Sequence, residues 1–447
     1  APRGPPPPPD PRPPLAHAPR PSARLRGPGV SGARVRVRGS RVAVSGGSIA
    51  GCAVAIALER LGCDVHVFER SSGALRDRGS GIAIPLALRD ELMDARYLPA
   101  DYPSCQPVRR HWVHRDAEGA SVLLWDQPSA AALSNWGVLW RSLRTGVPDE
   151  RYHDGRPVAS VRQGLPSDGH GVEVAFADGH QETFDVVLGA DGYGSAVRQS
   201  LVSDLSPAYA GYILWRGNFP EHELTDPAPL LELDEASAWL TVCFTGGHGV
   251  MYPIPDFGEG SGEPGRRRVN WAIYAPAPAD LEITGVMSIP PGAVTPAHYE
   301  QLQALLDTSF PTFYRPLFAS PRSEVSIQPV YDMLVESYVH DRVVLIGDAG
   351  TVSRPHTGSG ATKAMQDALC IERLGRDHDD WDTLLAAYDA DRVATGRSLV
   401  ELGRRIGRDQ VEQTPPWTTM SPADFEAWTA NSLSGEKLYF YGDSDAR

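Results

Sequence analysis

The sequence contains little cysteine and no long apolar run, and both absences narrow what the protein can be. Five of its 447 residues are cysteine, they are scattered, and no two have the Cys-x-x-Cys spacing. This argues against a disulfide framework and against a zinc site, and we expect no metal. No apolar run approaches the roughly 20 residues of a membrane-spanning helix. We therefore expect a cytoplasmic protein without a membrane partner.

Positive charge is also in deficit. The chain has 42 lysine and arginine residues against 56 aspartate and glutamate residues, which gives a formal net charge of −14. Proteins that bind nucleic acid carry a basic surface, so we expect no nucleic-acid partner. The length predicts two or three domains with a sizeable core. A monomer and a homodimer are both compatible with the sequence.

The first 38 residues differ in composition from the rest of the chain. They contain the polyproline run Pro5–Pro9 and are otherwise mostly arginine, proline, glycine and alanine. Such a segment has too few bulky apolar side chains to offset the entropy cost of ordering. We predict a disordered Pro/Arg-rich extension over residues 1–38. A targeting segment is the alternative, although the apolar core of a secretory signal is absent.

The stretch from Arg41 to Arg70 carries the first functional pattern. A short apolar strand leads into a turn of small residues, which are Gly46, Gly47, Ser48, Ile49, Ala50 and Gly51. A helix and a second strand follow, and that strand ends at Glu69 and Arg70. In a βαβ unit of this length the glycines admit a pyrophosphate, and the acidic residue accepts a hydrogen bond from a ribose hydroxyl. Ser48 stands where the fingerprint has its middle glycine, and the turn alone fits NAD as well as FAD.

Hydrophobic periodicity along the rest of the chain predicts a composite fold. Alternating strands dominate residues 206–325, and buried strands of the first type return near residues 185–192 and 342–346. Helices are expected over residues 296–307, 361–374 and 381–406, and the turn-rich tail from Thr414 is expected to pack loosely. The predicted fold class is α/β (α+β overall): a Rossmann-like domain with an inserted, mostly antiparallel β domain and C-terminal helices.

Two further motifs lie downstream of the first turn. They are Gly189-Ala190-Asp191-Gly192 and Gly347-Asp348-Ala349-Gly350. Together the three motifs resemble the fingerprints of the single-component FAD-dependent aromatic hydroxylases, the p-hydroxybenzoate hydroxylase-like monooxygenases. The stretches Tyr209–Gly217, Asn270-Trp271 and Arg354–Gly358 are similar to those of the 2,6-dihydroxypyridine hydroxylase branch of that family.

The resemblance implies FAD as the cofactor and assigns residues to it. Asp348 would hold the ribityl chain, Asp191 would serve both FAD and the pyridine nucleotide, and Arg141 matches an FAD-contacting arginine. The remaining expected cofactor contacts are the turn from Gly46 to Gly51, Glu69, Arg70, Pro355, Gly358, Ser359, Gly360 and Ala361. The alternatives are a surface salt bridge for Arg141 and a ligand-free, glycine-rich helix start at Gly358.

The resemblance also implies a reaction. Because one dinucleotide fingerprint is present rather than two, NADH or NADPH is expected as a transient electron donor that visits a surface groove. O2 would then form a flavin C4a-hydroperoxide that hydroxylates an electron-rich aromatic or N-heteroaromatic small molecule. His356 is the expected catalytic base, since histidine titrates near neutral pH; a structural histidine is the alternative. Tyr212, Trp215 and Arg216 are expected in the substrate pocket, with sheet core and a rim arginine as the alternative.

The motifs also suggest domain boundaries. We place the FAD-binding domain at residues 39–115, 141–205 and 329–376, the substrate domain at 116–140 and 206–328, and a C-terminal helical region at 377–447. Two rival functions stay open at this point. One is epoxidation or Baeyer–Villiger oxygen insertion on a specialised metabolite, and the other is a non-catalytic flavin-binding redox sensor or ligand carrier.

Overall fold

The strands form most of the protein's framework. The structure, a computed structural model, describes residues 35–73, 75, 80–164, 171–258, 260–283 and 288–433. In chain order the strands are Arg41–Ser45 (β1), Asp64–Phe68 (β2), Gly81–Pro85 (β3), Arg109–Arg115 (β4), Ser121–Pro128 (β5), Ala131–Asn135 (β6), Tyr152–His153 (β7), Val158–Gln163 (β8), Val172–Phe176 (β9), Gln181–Phe184 (β10), Val186–Gly189 (β11), Ala208–Pro220 (β12), Ala238–Phe244 (β13), Gly247–Pro255 (β14), Arg267–Pro276 (β15), Ser326–Leu334 (β16), Val339–His340 (β17), Val343–Leu345 (β18) and Thr351–Val352 (β19).

The α-helices lie mainly around the first sheet and at the C-terminal end. They are Ile49–Arg60 (α1), Leu86–Asp94 (α2), Trp136–Arg144 (α3), Ala196–Leu201 (α4), Ala228–Glu235 (α5), Pro296–Ser309 (α6), Ser359–Asp377 (α7), Trp381–Gly407 (α8) and Pro422–Leu433 (α9). The three predicted long helices are therefore confirmed, each within three residues of its predicted ends. No helix in the described part of the chain is both long and apolar enough to cross a bilayer.

The first sheet is the Rossmann-like one. Its strand order is β17-β18-β11-β1-β2-β7, and β18, β11, β1, β2 and β7 run parallel. Val42 of β1 pairs with Val65 of β2 and Val186 of β11, and all three are buried. Such β-branched residues suit strands that are covered on both faces. The order places β1 centrally, so its carboxyl end faces a crevice of the kind in which open α/β sheets bind ligands.

The second large sheet is inserted between parts of the first. It has eight strands in the order β19-β16-β12-β15-β14-β13-β4-β5, antiparallel except where β13 runs parallel to β4. Its core packs Trp215 and Trp271 against Phe318. The predicted fold class is thereby confirmed. The domain boundaries stay a prediction, although β4 (Arg109–Arg115) joins this sheet before the proposed boundary at residue 116.

The prediction of disorder is wrong for residues 35–38, which pack against the folded part of the chain. Val37 is buried, its N–H donates to Asp379 O at 3.0 Å, and Val35 O accepts from Trp381 N at 3.0 Å. Residues 35–38 thus pack against the start of α8, because that helix presents an apolar face and free backbone groups there. The expectation for residues 1–34 lies outside the described residues.

The expectation of a loosely packed tail is wrong for the described part of that tail. Trp417 and Phe425 are 3% and 0% exposed and pack against Trp112 of β4. Trp417 Nε1 also donates to Phe244 O at 3.0 Å. Burial of these two large aromatic side chains stabilises the folded protein by about 1.5–3 kcal/mol for each side chain. The turn-rich composition thus did not predict the short helix α9, which covers one edge of the second sheet.

Candidate active site

The turn after β1 is held by contacts from three directions. Gly46 adopts φ +100° and its N–H donates to Phe68 O at 2.8 Å. Gly47 N donates to Glu69 Oε2 at 2.8 Å. Gly47 O accepts from Trp140 Nε1 at 2.9 Å and from the Tyr152 hydroxyl at 3.0 Å. The turn is thus preorganised around the acidic residue that ends β2.

A cavity of about 540 Å³ opens beside this turn. We call it the turn cavity. Its lining includes predicted cofactor residues, which are Gly46, Ser48, Ile49, Ala50, Glu69, Arg70, Asp191, Asp348, Gly360 and Ala361. It lies at the N-terminus of α1, where backbone N–H groups and the helix dipole favour an anion such as a pyrophosphate.

The two predicted aspartates both line the turn cavity. Asp191 accepts from the Ser195 hydroxyl at 2.5 Å and from Val197 N at 3.1 Å, so its carboxylate also organises the start of α4. Asp348 follows β18 in a short 3₁₀ turn, Gly347–Ala349. Loss of hydration raises the pKa of both carboxyl groups above its ordinary value.

The N-terminus of α7 lies where this cavity meets a second one. Gly358 has φ +61°, and Ser359 is buried with its hydroxyl 2.6 Å from those of Ser353 and Thr357. A β-carbon placed on Gly360 would meet no other atom within 4 Å. The start of this 19-residue helix therefore presents backbone to open space.

The second cavity has a volume of about 640 Å³. We call it the histidine cavity, because His248 and His356 both line it. His356 stacks on Tyr274 with ring centroids 4.0 Å apart, and His248 stacks on the same tyrosine at 4.5 Å. Arg216, Asp348, Gly360 and Ala361 are among the residues that line both cavities, so the two spaces adjoin.

Both histidines are neutral at physiological pH. Burial lowers the pKa of His248 to about 3, and the Arg110 charge acts in the same direction. The pKa of His356 lies well below its ordinary value for the same reason, with further lowering by His248, Arg354 and Arg110. His356 Nε2 lies 2.8 Å from the Tyr212 hydroxyl, while its Nδ1 is buried without a partner among the described residues.

The low pKa of His248 predicts a pH-dependent stability. The unfolded chain binds a proton at this side chain near pH 6.5, whereas the folded protein does so only near pH 3. Stability is therefore lost as the pH falls below about 6.5, by about 2 kcal/mol at pH 5 from this group. His248→Asn removes this titrating group. Between pH 7 and pH 5 the free energy of unfolding of the variant should therefore fall by about 2 kcal/mol less than that of the wild type. Urea titrations at both pH values test this, and equal pH dependence in both proteins would contradict it.

Three of the expected site residues lie elsewhere. Trp215 is buried in the core of the second sheet, because side chains alternate along β12 and its position faces away from the histidine cavity. Tyr212 is 1% exposed and lies behind His356 without lining the cavity. Arg141 is exposed on α3 with its guanidinium 5.1 Å from the Phe257 ring centroid, and it lines neither cavity.

The residues that form the inner wall of the histidine cavity were not predicted from the sequence. Leu214, Tyr274 and His248 form a row across β12, β15 and β14. Arg110 of β4 is buried, with Trp112 and Trp239 ring centroids 3.9 and 4.3 Å from its guanidinium carbon. None of these four residues was predicted as a site residue, and the sheet order is what brings them together.

The geometry fits FAD. A β-carbon at Gly46 would overlap the backbone of Ala190, and one at Gly51 would overlap the backbone of Gly46. The turn therefore requires glycine at both positions, beside the place where a pyrophosphate would bind. Glu69 can accept from the adenosine ribose, Asp348 from the ribityl chain, and the α7 N-terminus faces the junction where an isoalloxazine would lie. Such a terminus stabilises the negative charge of a reduced flavin.

Comparison with known proteins agrees with this geometry. Family models described as "FAD binding domain-like", "Pyridine nucleotide-disulphide oxidoreductase" and "FAD binding domain" match residues 209–323, 41–94 and 298–402. The 2,6-dihydroxypyridine 3-monooxygenase of Paenarthrobacter nicotinovorans is 31% identical over 375 residues, 82% of this chain and 90% of that protein. The aurachin C monooxygenase/isomerase of Stigmatella aurantiaca is 27% identical, over 83% and 89% of the two chains.

A solved structure shows the same fold. The 2,6-dihydroxypyridine-3-hydroxylase from Arthrobacter nicotinovorans superposes with a TM-score of 0.73 at 25% identity, over 84% of this chain and 94% of the other. The resemblance predicted from the three motifs is therefore confirmed. The chain belongs to the p-hydroxybenzoate hydroxylase-like family of FAD-dependent aromatic hydroxylases, and it is a monooxygenase that uses FAD, NAD(P)H and O2.

Proposed function

We propose that this protein hydroxylates a small, electron-rich N-heteroaromatic ring that carries oxygen substituents, and that the ring binds in the histidine cavity. The observation that carries the proposal is the cavity wall: Tyr274 with two neutral imidazoles stacked on it, next to the buried guanidinium of Arg110. Flat aromatic walls suit a flat ring, and a buried cation favours a ring with anionic oxygen. The 31% identical relative and the solved structure named above are both named for a 2,6-dihydroxypyridine.

The protein's own contribution is orientation, exclusion of water and control of one proton. FAD, when bound, supplies the redox chemistry: it takes a hydride from NAD(P)H and activates O2. The histidine cavity adjoins the turn cavity, which sets a ring in it beside the expected isoalloxazine. Apolar and aromatic side chains around it, including Leu214, Val250 and Tyr252, limit access of water.

We assign the proton transfer to His356 and the positioning of that histidine to Tyr212. With Nε2–H donating to the Tyr212 oxygen, Nδ1 carries a free lone pair that can accept a proton from a ring hydroxyl or lactam. Arg354 Nη1 also donates to the Tyr212 oxygen at 3.4 Å, and Arg354 is held by Asp332 and Glu412. The depressed pKa of His356 keeps the imidazole neutral, so the Nδ1 lone pair is not occupied by a proton before the substrate binds.

A substrate panel tests the proposal. Hydroxylated pyridines, matched benzene phenols and larger polycyclic phenols are offered to the FAD-loaded enzyme with NADH or NADPH. We expect a small pyridine to raise NAD(P)H consumption most and to yield a product heavier by one oxygen atom in mass spectrometry. Oxygenation confined to polycyclic compounds would contradict the proposed substrate class, and ring insertion or epoxide products would favour the rival chemistry.

We further propose that NAD(P)H approaches through a third cavity of about 680 Å³, the side cavity. It shares Ile82 and Arg216 with both other cavities and Trp136 with the turn cavity, and it adds Phe257 and Arg268. Exposed aromatic faces can stack on a nicotinamide or adenine, and arginines can bind phosphate.

If NAD(P)H binds in the side cavity, Arg268 should contribute to its affinity. Arg268→Ala should raise the KM for NAD(P)H by about tenfold, because a charge-assisted hydrogen bond contributes roughly 1.5–3 kcal/mol. The KM for the aromatic substrate should stay unchanged. Steady-state kinetics with each substrate varied in turn measures both constants. Arg162→Ala, which removes an exposed arginine paired with Glu173, is the control. Equal KM values for NAD(P)H in wild type and Arg268→Ala would rule out this approach.

A further inference from the structure

Lysine is nearly absent from this chain, which uses arginine for its cations. Among its 42 lysine and arginine residues, Lys363 and Lys437 are the lysines. Lys363 lies on α7 and is 1% exposed. A buried ammonium is costly unless it is paired and hydrogen-bonded, and it differs from a guanidinium in being a compact point charge. The position therefore indicates a specific need for a small cation.

The contacts of Lys363 converge on one glycine. Its Nζ donates to Gly347 O at 2.8 Å and to Asp367 Oδ2 at 3.1 Å. The same carboxylate accepts from Gly347 N at 2.8 Å and from Arg392 Nε at 2.6 Å. Lys363 and Asp367 thus hold both polar backbone atoms of Gly347, which adopts a left-handed φ of +58°.

The next residue, Asp348, lines both the turn cavity and the histidine cavity. The charged groups that act on it are Lys363 and Asp367 from α7 and Arg198 from α4. Lost hydration and the negative charge of Asp367 raise the pKa of Asp348, whereas Lys363 and Arg198 lower it. Lys363 is the largest of these charge effects, and it opposes the rise in the pKa of Asp348 that burial causes.

We infer that Lys363 is a positioning residue for the cofactor. With Asp367 it holds the Gly347–Asp348 turn, and its charge keeps the Asp348 carboxylate available to accept hydrogen bonds from the ribityl hydroxyls of FAD. The inference rests on FAD binding and on the role assigned to Asp348, and it does not depend on the proposed substrate class.

The test measures FAD affinity as a function of pH. The full-length, FAD-loaded protein is diluted, and the released FAD is followed by its fluorescence between pH 8 and pH 5.5. Lys363→Gln can still donate to Gly347 O but carries no charge, so the pKa of Asp348 rises and the carboxylate is protonated at higher pH. We expect the ratio of its Kd to that of the wild type to grow as the pH falls, by about tenfold per pH unit below the new pKa. Lys363→Arg keeps the charge and should show a constant ratio.

Two further variants separate this role from a purely structural one. In an Asp348→Asn background, Lys363→Gln should no longer change the pH profile, because the titrating group is gone. Arg373→Met removes a 60%-exposed cation from the same helix and should leave the Kd for FAD unchanged at every pH. A Kd ratio for Lys363→Gln that is constant with pH, or a profile that persists with Asp348→Asn, would overturn the inference. If Lys363→Gln does not fold, Lys363→Met is measured in the same way and judged by the same two outcomes.

Discussion

Alanine at Gly51 should almost abolish FAD binding. A β-carbon on Gly51 would overlap the Gly46 carbonyl oxygen, which is backbone and cannot rotate away. Gly46, at φ +100°, is itself closed in by Ala190 and Asp191, so the turn has no direction in which to relax. We expect the Kd for FAD to rise at least about 100-fold, which corresponds to about 2.7 kcal/mol. The ratio of flavin to protein absorbance after purification and a titration with FAD measure the loss.

Gly360→Ala is the matched comparison. A β-carbon there meets no protein atom within 4 Å but enters the space near the junction of the turn and histidine cavities. The variant should unfold at the same or a slightly higher urea concentration, since alanine favours a helix by about 0.5–1 kcal/mol, yet it should bind FAD more weakly. Gly51→Ala, in contrast, should lose both stability and FAD. Wild-type FAD content in Gly51→Ala would show that the pyrophosphate does not bind at this turn.

The parts of the site that follow one another in the chain were predictable from the sequence. The turn from Gly46 to Gly51, Glu69 at the end of β2 and the glycine-rich start of α7 each depend on local backbone geometry. Local geometry leaves a mark in composition, because a left-handed φ or a close backbone approach selects glycine. The motif at Asp348 was identified by its resemblance to the family fingerprint, and the structure brings all these segments to one cavity.

The substrate side was less predictable, since it depends on which face of a strand points to the cavity and on which strands are neighbours. The alternation along β12 was visible in the sequence. Which of its two faces points to the core was not, and Trp215 lies on the core face. Arg110 lies on β4, far from β14 and β15 in the chain, and it meets His248 and Tyr274 only through the sheet order. Arg141 is the opposite case: its sequence context matches the family, whereas its side chain lines neither of the two cavities.

Removal of the His356 imidazole should have the largest effect on oxygen transfer itself. Proton transfer by a positioned side chain contributes about 10²–10⁴-fold, so His356→Ala should lower the rate of product formation by at least about 100-fold. FAD binding should change little, because His356 contacts Tyr212, Tyr274 and His248, which lie away from the turn after β1. Product formed per NAD(P)H consumed and the Kd for FAD, measured on the same preparation, separate the two effects.

Tyr212→Phe tests how His356 acts. The phenyl ring keeps the packing, but the hydroxyl 2.8 Å from Nε2 is lost, so the imidazole can adopt the tautomer whose Nδ1 carries the proton and cannot accept one. We expect a drop in product formation of about tenfold, smaller than in His356→Ala, with FAD affinity unchanged. Because the pKa of His356 lies well below 6.5, the wild-type rate should show no ionisation of this group near pH 6.5. Normal coupled turnover in His356→Ala would exclude His356 as the base. An equal loss of product formation in Tyr212→Phe and His356→Ala would mean that His356 cannot accept the proton at all without the Tyr212 hydroxyl.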